Sequence, residues 1–276
     1  MPKYFTRLTG TGAFYTSGSW ASASTLASAL SIGSNCAPPK NNEEAFILVG
    51  KCNISNNLTN TASAFTGSLT IGAGFDGTIG TAAGTPLKTN CLSVEHGGSG
   101  AFVNFSGDST GNVSEYRFFG PGQAYVRAST FTSGKPLVYV GPGARVEFEN
   151  GANLDDLKNA GGFVSIGTSG AVDVTNYDGS VELNGPVTGT LDVRGGDVVA
   201  YGTTTMPGLV YVGNGARYNH ASVGTIDYLE VFPNGTASDR GAPGPFTVSG
   251  NVWPNSSFFE NPQVRITATV GRRGMP

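Results

Sequence analysis

Charge and long apolar runs are both scarce in this chain of 276 residues. Only 13% of the residues are charged, and the formal net charge is −3. A nucleic-acid-binding protein would show a basic stripe, so we expect no nucleic-acid partner. No run of about 18 apolar residues occurs, so we expect no membrane-spanning helix. The first residues, MPKYFTRLTGTG, lack an apolar segment of the secretory type, so we expect synthesis in the cytoplasm without a signal peptide.

Residues that commonly carry chemistry are also few. The three cysteines, Cys36, Cys52 and Cys91, show no metal-binding spacing, so we expect no metal and no cofactor. Three reduced thiols and a Cys36–Cys52 disulfide both remain open. The two histidines, His96 and His220, have no neighbouring Ser or Cys in a nucleophile setting. We expect each histidine to be a surface or turn residue.

Glycine is abundant, with 42 residues, and it punctuates a repeated motif. The clearest copies are LVYVGPGAR from Leu137, FVSIGTSGA from Phe163 and LVYVGNGAR from Leu209. Looser copies place two apolar residues around one variable residue, and the whole set ends at Ile71, Val94, Phe119, Val140, Ile166, Val193, Val212 and Val231. Their spacing of roughly 19 to 27 residues is that of a solenoid, whose short units bury apolar surface only by stacking.

Each copy alternates with period two, which predicts a β-strand. The alternation predicts that three residues point inward: Val140, Ile166 and Val212. It predicts that the preceding residues point outward, namely Tyr139, Ser165 and Tyr211. Tyr139 and Tyr211 are therefore candidate partner-facing residues. The glycine after each strand is expected to form a corner, where the absence of Cβ makes a tight bend or a positive φ inexpensive.

These features predict an all-β fold, a right-handed parallel β-helix with about eight rungs. Residues 1–68 are interpreted as an N-terminal cap or docking segment, in which SASTLASAL predicts a short helix and EEAFILVG a first strand. Residues 69–235 form the predicted β-helix, and residues 236–276 form further strands and a tail. The alternative fold is a β-sandwich with recurring turns.

One pair of carboxylates is a candidate for catalysis. Aligning Val140 with Ile166 places Glu147 and Asp173 on successive rungs, about 4.8 Å apart. A retaining glycosidase needs two carboxyl groups about 5–5.5 Å apart. Outward acids on a solenoid are normally solvated, so we expect no catalytic residue in the chain.

The chain resembles the β-helical structural proteins of tailed-bacteriophage particles: decoration proteins, head fibres and tail spikes. The resemblance is carried by the VYVGxGAR-type rungs across about residues 69–235 and by the lead-in TGTGAFYTSGSWASASTL. It implies a subunit of the virion surface, often trimeric, whose partners are copies of itself and other virion proteins such as the major capsid protein.

The expected function is therefore that of a non-enzymatic structural component of a virus particle, acting by self-association and surface attachment. The main alternative is a phage tail spike that binds or cleaves host surface glycan. A third possibility is a fragment of a cellular adhesin.

Overall fold

The structure, a computed structural model, is a parallel β-solenoid. It describes residues 1–40, 42–55, 67–80, 87–88, 93–98, 102–107, 115–128, 136–149, 153–202, 204–213, 215–232, 234–238, 247–248, 252–254 and 265–266. The described residues are almost all in β-strands, and the solenoid has about six turns rather than the eight rungs predicted. The predicted fold class is confirmed.

Twenty-four strands and one α-helix lie within the described residues. The first twelve strands are β1 (Lys3–Phe5), β2 (Thr9–Ala13), β3 (Trp20–Ser22), β4 (Glu44–Ser55), β5 (Ser68–Phe75), β6 (Thr78–Ile79), β7 (Leu87–Lys88), β8 (Ser93–His96), β9 (Phe102–Gly107), β10 (Glu115–Phe118), β11 (Gln123–Ala128) and β12 (Leu137–Val140). The others are β13 (Arg145–Phe148), β14 (Leu154–Ile166), β15 (Ala171–Leu183), β16 (Thr190–Val193), β17 (Asp197–Gly202), β18 (Met206–Val212), β19 (Arg217–Ser222), β20 (Thr225–Val231), β21 (Thr236–Ser238), β22 (Thr247–Val248), β23 (Val252–Pro254) and β24 (Arg265–Ile266).

The chain divides into two compact units. The first unit comprises Met1–Leu137 and Gly141–Ala152, and the second comprises Val138–Val140 and Asn153–Pro276. In both units, strands about one turn apart in sequence pair in parallel. This pairing packs each inward-facing residue against the residue that is in register with it on the next turn.

In the first unit the parallel stack begins earlier than residue 69, the predicted start of the β-helix. Strands β1 and β2 pair in parallel with the two halves of β4, and β4 pairs in parallel with β5. The strand expected at EEAFILVG is confirmed as β4, but it is not the first, because β1, β2 and β3 precede it. An attachment role for residues 1–68 remains a prediction.

The part of the first unit that does act as a cap consists of β3 and the helix α1 (Leu26–Ile32). Strand β3 runs antiparallel to β1 and so covers its edge. The predicted helix is confirmed: the Thr25 hydroxyl accepts the backbone N–H of Ser28 at its start, and Gly33 ends it with φ of 72°. Trp20 is fully buried and donates its indole N–H to the carbonyl of Phe14, at 2.6 Å.

The inward register of the three best repeat copies is as predicted. Val140, Ile166 and Val212 are at most 1% exposed, whereas the preceding Tyr139, Ser165 and Tyr211 are half-buried. The copy at RFFG was placed one residue too late. Phe118 is 1% exposed and Phe119 is 49% exposed, because Tyr116 and Phe118 carry the alternation of β10.

The two glycines of the GxGA corner have different roles. The second glycine adopts a positive φ, 79° at Gly143 and 77° at Gly215. The first glycine lies close to the preceding turn: a Cβ on Gly213 would approach the carbonyl oxygen of Val193 to 3.1 Å. Left-handed conformation selects the second glycine, and close approach of backbones selects the first.

At the C-terminal end, the two strands expected in FTVSG and VRITATV are confirmed as β22 and β24, which pair in parallel with each other. The predicted tail, residues 271–276, lies outside the described residues.

Candidate functional site

The second unit presents two parallel ladders whose outward side chains form its candidate functional surfaces. The first ladder consists of residues 154–159 of β14, 171–176 of β15, and strands β16, β18 and β20. The second ladder consists of residues 163–166 of β14, 180–183 of β15, and strands β17, β19 and β21. Since alternate residues face outward, each ladder carries outward rows of side chains in register along its length.

An apolar patch lies on the outer face of the first ladder, on the adjacent strands β18 and β20 and the residue that follows β20. We define the patch as Leu209, Tyr211, Tyr228 and Phe232. Leu209 is 41% exposed and Phe232 is 40% exposed. The rings of Tyr211 and Tyr228 meet edge to face, with centroids 5.9 Å apart. The Tyr228 hydroxyl donates to Glu230 at 3.1 Å, which fixes that ring.

Charged side chains beside the patch are paired with neighbours on their own strands. Lys158 lies 2.8 Å from Asp156, and Arg194 lies 2.7 Å from Asp192. The hydrogen bond to Asp156 raises the pKa of the Lys158 ammonium. Each of these acids lies two residues before its base, and residues so spaced on a strand face the same side. Both cations are therefore neutralised by acids of this chain.

Two of these cations also lie over tyrosine rings. Lys158 Nζ is 5.5 Å from the centroid of the Tyr139 ring, and the Arg194 guanidinium is 5.2 Å from that of Tyr177. Both distances are within the range of a cation–π interaction. Tyr139, a predicted partner-facing residue, is thus half-buried under Lys158. Tyr211, the other, belongs to the apolar patch, whereas Tyr177 and Tyr228 were not anticipated from the repeat.

The outer face of the second ladder carries a polar groove of 480 Å³. One wall is the row Phe163, Ser180, Asp197, Arg217 and Thr236, which are consecutive partners in register. The other wall includes Glu182, Val199, Asn219 and Ser238, also in register. The backbone of the intervening inward row, Val181, Val198 and Tyr218, lies between the walls.

Hydrogen bonds fix several of the polar groups that line this groove. Arg217 and Asp197, on adjacent turns, form a bidentate ion pair in which Arg217 Nη2 donates to Asp197 Oδ2 at 2.7 Å. The Ser238 hydroxyl donates to Asn219 Oδ1 at 3.1 Å. Among the residues that the structure describes, the side chain of Glu182 forms no hydrogen bond or ion pair. The groove therefore offers an unengaged carboxylate beside a fixed guanidinium–carboxylate pair.

The register assumed for the candidate carboxylate pair, Glu147 and Asp173, is wrong. The neighbours of Asp173 in the first ladder are Asp156 on β14 and Thr190, whose backbone N–H donates to Asp173 Oδ1 at 2.6 Å. Glu147, on β13, is in register with Tyr125 and forms an ion pair with Arg145 at 3.1 Å. The error arose because copies of the repeat fall on both ladders: Ile166 lies on the second, whereas Val212 lies on the first.

The expectation that each histidine is a surface or turn residue is also wrong. His96 is 1% exposed and stands between Ile71 and Phe118 in an inward row of the first unit. His220 is fully buried and follows Ala200 in an inward row of the second ladder. The alternating patterns Val94-x-His96 and Tyr218-x-His220 were the signal that would have placed them.

Hydrogen bonds define the protonation of His220. The ring contacts the Gly224 carbonyl through Nε2 at 3.0 Å and the Tyr218 hydroxyl through Nδ1 at 2.7 Å. A carbonyl can only accept, so Nε2 carries the proton and Nδ1 accepts from Tyr218. Burial lowers the pKa of the His220 imidazole below its ordinary value and raises the pKa of the Tyr218 phenol. The imidazole is therefore neutral near pH 7.

Cys36 and Cys52 are both free thiols, and Cys91 lies outside the described residues. Burial raises the pKa of both described thiols. A raised pKa keeps a thiol protonated and weakly nucleophilic at neutral pH.

No group of three or more His, Cys, Asp or Glu side chains in the described part of the chain is arranged to hold a metal ion. No helix among the described residues is long and apolar enough to cross a membrane.

Comparisons with protein-family models, with curated proteins and with solved structures find no match for this chain.

Proposed function

We propose that this chain is a non-enzymatic structural subunit of a virus particle, which acts by associating with copies of itself and with other virion proteins such as the major capsid protein. The observation that carries the self-association is the apolar patch on the first ladder. The particle setting is supported by the resemblance of the VYVGxGAR-type rungs and the N-terminal lead-in to β-helical phage proteins.

The patch has the composition of an interface core. Tyrosine and other aromatic residues are enriched at such cores, and charged residues are depleted. Leu209 and Phe232 leave apolar surface in water that a partner would remove, at about 25 cal/mol for each Å² buried. Tyr211 and Tyr228 are already held against each other, so little side-chain entropy is lost when a partner covers them.

The surroundings of the patch suit a second copy. Lys158 and Arg194 are matched by Asp156 and Asp192, and Glu230 accepts a hydrogen bond from Tyr228, so these charged groups beside the patch are engaged within the chain. In a symmetric assembly the same surfaces of each copy meet repeatedly, so an unpaired charge in the interface would face like charge on the next copy and be repelled. We therefore expect a homotrimer, or a multimer on the capsid.

Analytical ultracentrifugation of the purified chain tests this proposal. We expect a trimer for the wild type and a shift towards monomer for Tyr211→Glu, which places a charge at the centre of the patch. Tyr201→Glu is the matched control: Tyr201 is 39% exposed on the second ladder, outside the patch. Circular dichroism establishes that both variants keep the fold.

The particle setting is tested separately. The chain should copurify with virus particles at a fixed stoichiometry, and it should rebind to particles from which it has been stripped. A wild-type chain that sediments as a stable monomer, and that does not rebind stripped particles, contradicts the proposal.

A further inference from the structure

We infer that the polar groove of the second ladder binds an uncharged oligosaccharide. This inference is independent of the proposed self-association, because the groove and the apolar patch are formed by different ladders. It rests on the shape of the groove, the chemistry of its walls and the mode of binding that its position on the sheet allows.

The shape is that of an elongated site. Five adjacent strands contribute to the groove, from Phe163 on β14 to Thr236 and Ser238 on β21. Parallel strands are about 4.8 Å apart, so four intervals give a length of about 19 Å. The volume of 480 Å³ is within the usual range for small-molecule sites. An extended chain of a few linked units fits these dimensions better than a single compact ligand.

The charge on the walls excludes a polyanion. Glu182 and Asp197 supply two carboxylates, and Arg217 supplies one cation, which is already engaged by Asp197. The balance is one net negative charge. A phosphorylated or sulfated polymer would face the unengaged carboxylate of Glu182 without a compensating cation, and close like charges are repelled.

The polar groups match hydroxyl-rich ligands. A sugar hydroxyl both donates and accepts hydrogen bonds, and the walls supply acceptors at Glu182, donors at Arg217 and both at Asn219 and Ser238. The Asp197–Arg217 and Ser238–Asn219 contacts hold these groups in place before a ligand arrives. Preorganisation of this kind lowers the entropic cost of binding. Phe163 and Val199 add apolar surface for the non-polar faces of sugar rings.

The position of the groove argues against a peptide. Extended peptides commonly bind by adding a strand to an open sheet edge, where backbone groups are unpaired. This groove lies on the face of a ladder, and the backbone groups of its central strands are used in pairing between turns. A ligand there is recognised through side chains, which favours a molecule rich in hydroxyl groups.

An array of immobilised neutral hexose oligosaccharides of four to six units tests the inference, with heparin and a basic peptide on the same array. We expect the wild-type chain to bind at least one neutral oligosaccharide. Glu182→Gln should weaken that binding by about tenfold, since it removes hydrogen bonds to a charged group. Val199→Tyr should abolish it by filling the groove.

Glu147→Gln is the matched control, because it makes the same change on β13, at a carboxylate that already pairs with Arg145. Its binding should stay within twofold of the wild type, and circular dichroism should show all three variants folded. Three results would overturn the inference: no neutral oligosaccharide is bound, only heparin or the basic peptide is bound, or Glu182→Gln and Val199→Tyr bind as the wild type does.

Discussion

Replacing Ile166 tests the register of the solenoid most directly. Ile166 is fully buried at the end of β14, where it is in register with the fully buried Leu183 of β15. Its neighbour Ser165 is half-buried on the opposite face of the same strand, in register with Glu182. Ile166 and Ser165 are adjacent in sequence, but their side chains lie on opposite faces of the sheet.

The expected magnitudes follow from this difference. Ile166→Ala removes buried methyl and methylene groups and leaves a cavity against Leu183, which costs about 2–5 kcal/mol. Ser165→Ala removes only a half-solvated hydroxyl, so its effect should stay within about 0.5 kcal/mol. Ile166→Asp would bury an unpaired carboxylate and should yield no soluble folded protein.

Urea unfolding followed by far-ultraviolet circular dichroism measures both alanine variants. The midpoint should fall clearly for Ile166→Ala and hardly at all for Ser165→Ala. Equal losses at the two positions, or a larger loss at Ser165, would refute the inward register derived from the repeat. Soluble folded Ile166→Asp would refute it as well.

Two further predictions concern pH and chemistry. Burial lowers the pKa of His220 in the folded chain below its ordinary value of 6.5. Below pH 6.5 the imidazole of the unfolded chain therefore binds a proton while that of the folded chain stays neutral. The stability contributed by neutral His220 is full above pH 6.5 and falls as the pH drops towards the folded pKa. The free energy of unfolding should fall by at most about 1.4 kcal/mol per pH unit. Urea midpoints measured from pH 7.5 to 5.5 should drop more steeply for the wild type than for His220→Leu. Parallel pH profiles of the two proteins would show that His220 is not responsible. Separately, Glu147→Gln and Asp173→Asn should leave every particle phenotype unchanged; if the purified chain depolymerises host surface glycan and either variant abolishes this with the fold intact, the structural proposal fails.

Period-two alternation was sufficient to predict the inner faces of the three best repeat copies, which end at Val140, Ile166 and Val212. It is a local property, fixed by adjacent side chains pointing to opposite sides of a strand, as at Val138, Tyr139 and Val140. The alternation failed at RFFG, because either of the two consecutive phenylalanines could be the inward residue. The structure buries Phe118 and leaves Phe119 exposed.

The repeat did not reveal which strands pair between successive turns. Similar motifs occupy two ladders, so motif similarity alone paired Ile166 with Val140 and carried Glu147 to Asp173. The true neighbours of Asp173 depend on the lengths of the turns between strands, which vary. The groove was missed for the same reason: Glu182, Asp197 and Arg217 come together only when three successive turns are in the correct register.

The histidines were misplaced for another reason. Polar residues usually lie at the surface, and glycine-rich stretches such as EHGGSG around His96 usually form turns; these associations outweighed the alternation at His96 and His220. A buried imidazole is acceptable where its nitrogens are satisfied, as the Tyr218 hydroxyl and Gly224 carbonyl satisfy those of His220.

Two buried amides address a difficulty that any chain of near-equivalent turns faces, namely which turn stacks on which. Asn159 and Asn176 are fully buried neighbours in the first ladder, and Asn159 donates to Asn176 Oδ1 at 2.8 Å. The next residues in this row are Val193 and Val212. Sliding β14 by one turn would set Asn159 against valine and deprive the buried Asn176 Oδ1 of the donor that Asn159 provides, at a cost of about 1–3 kcal/mol. The apolar rows tolerate such a slip, because one aliphatic residue replaces another. The asparagine pair therefore favours one register of the turns during folding. It disfavours the misaligned products to which repetitive sequences are prone.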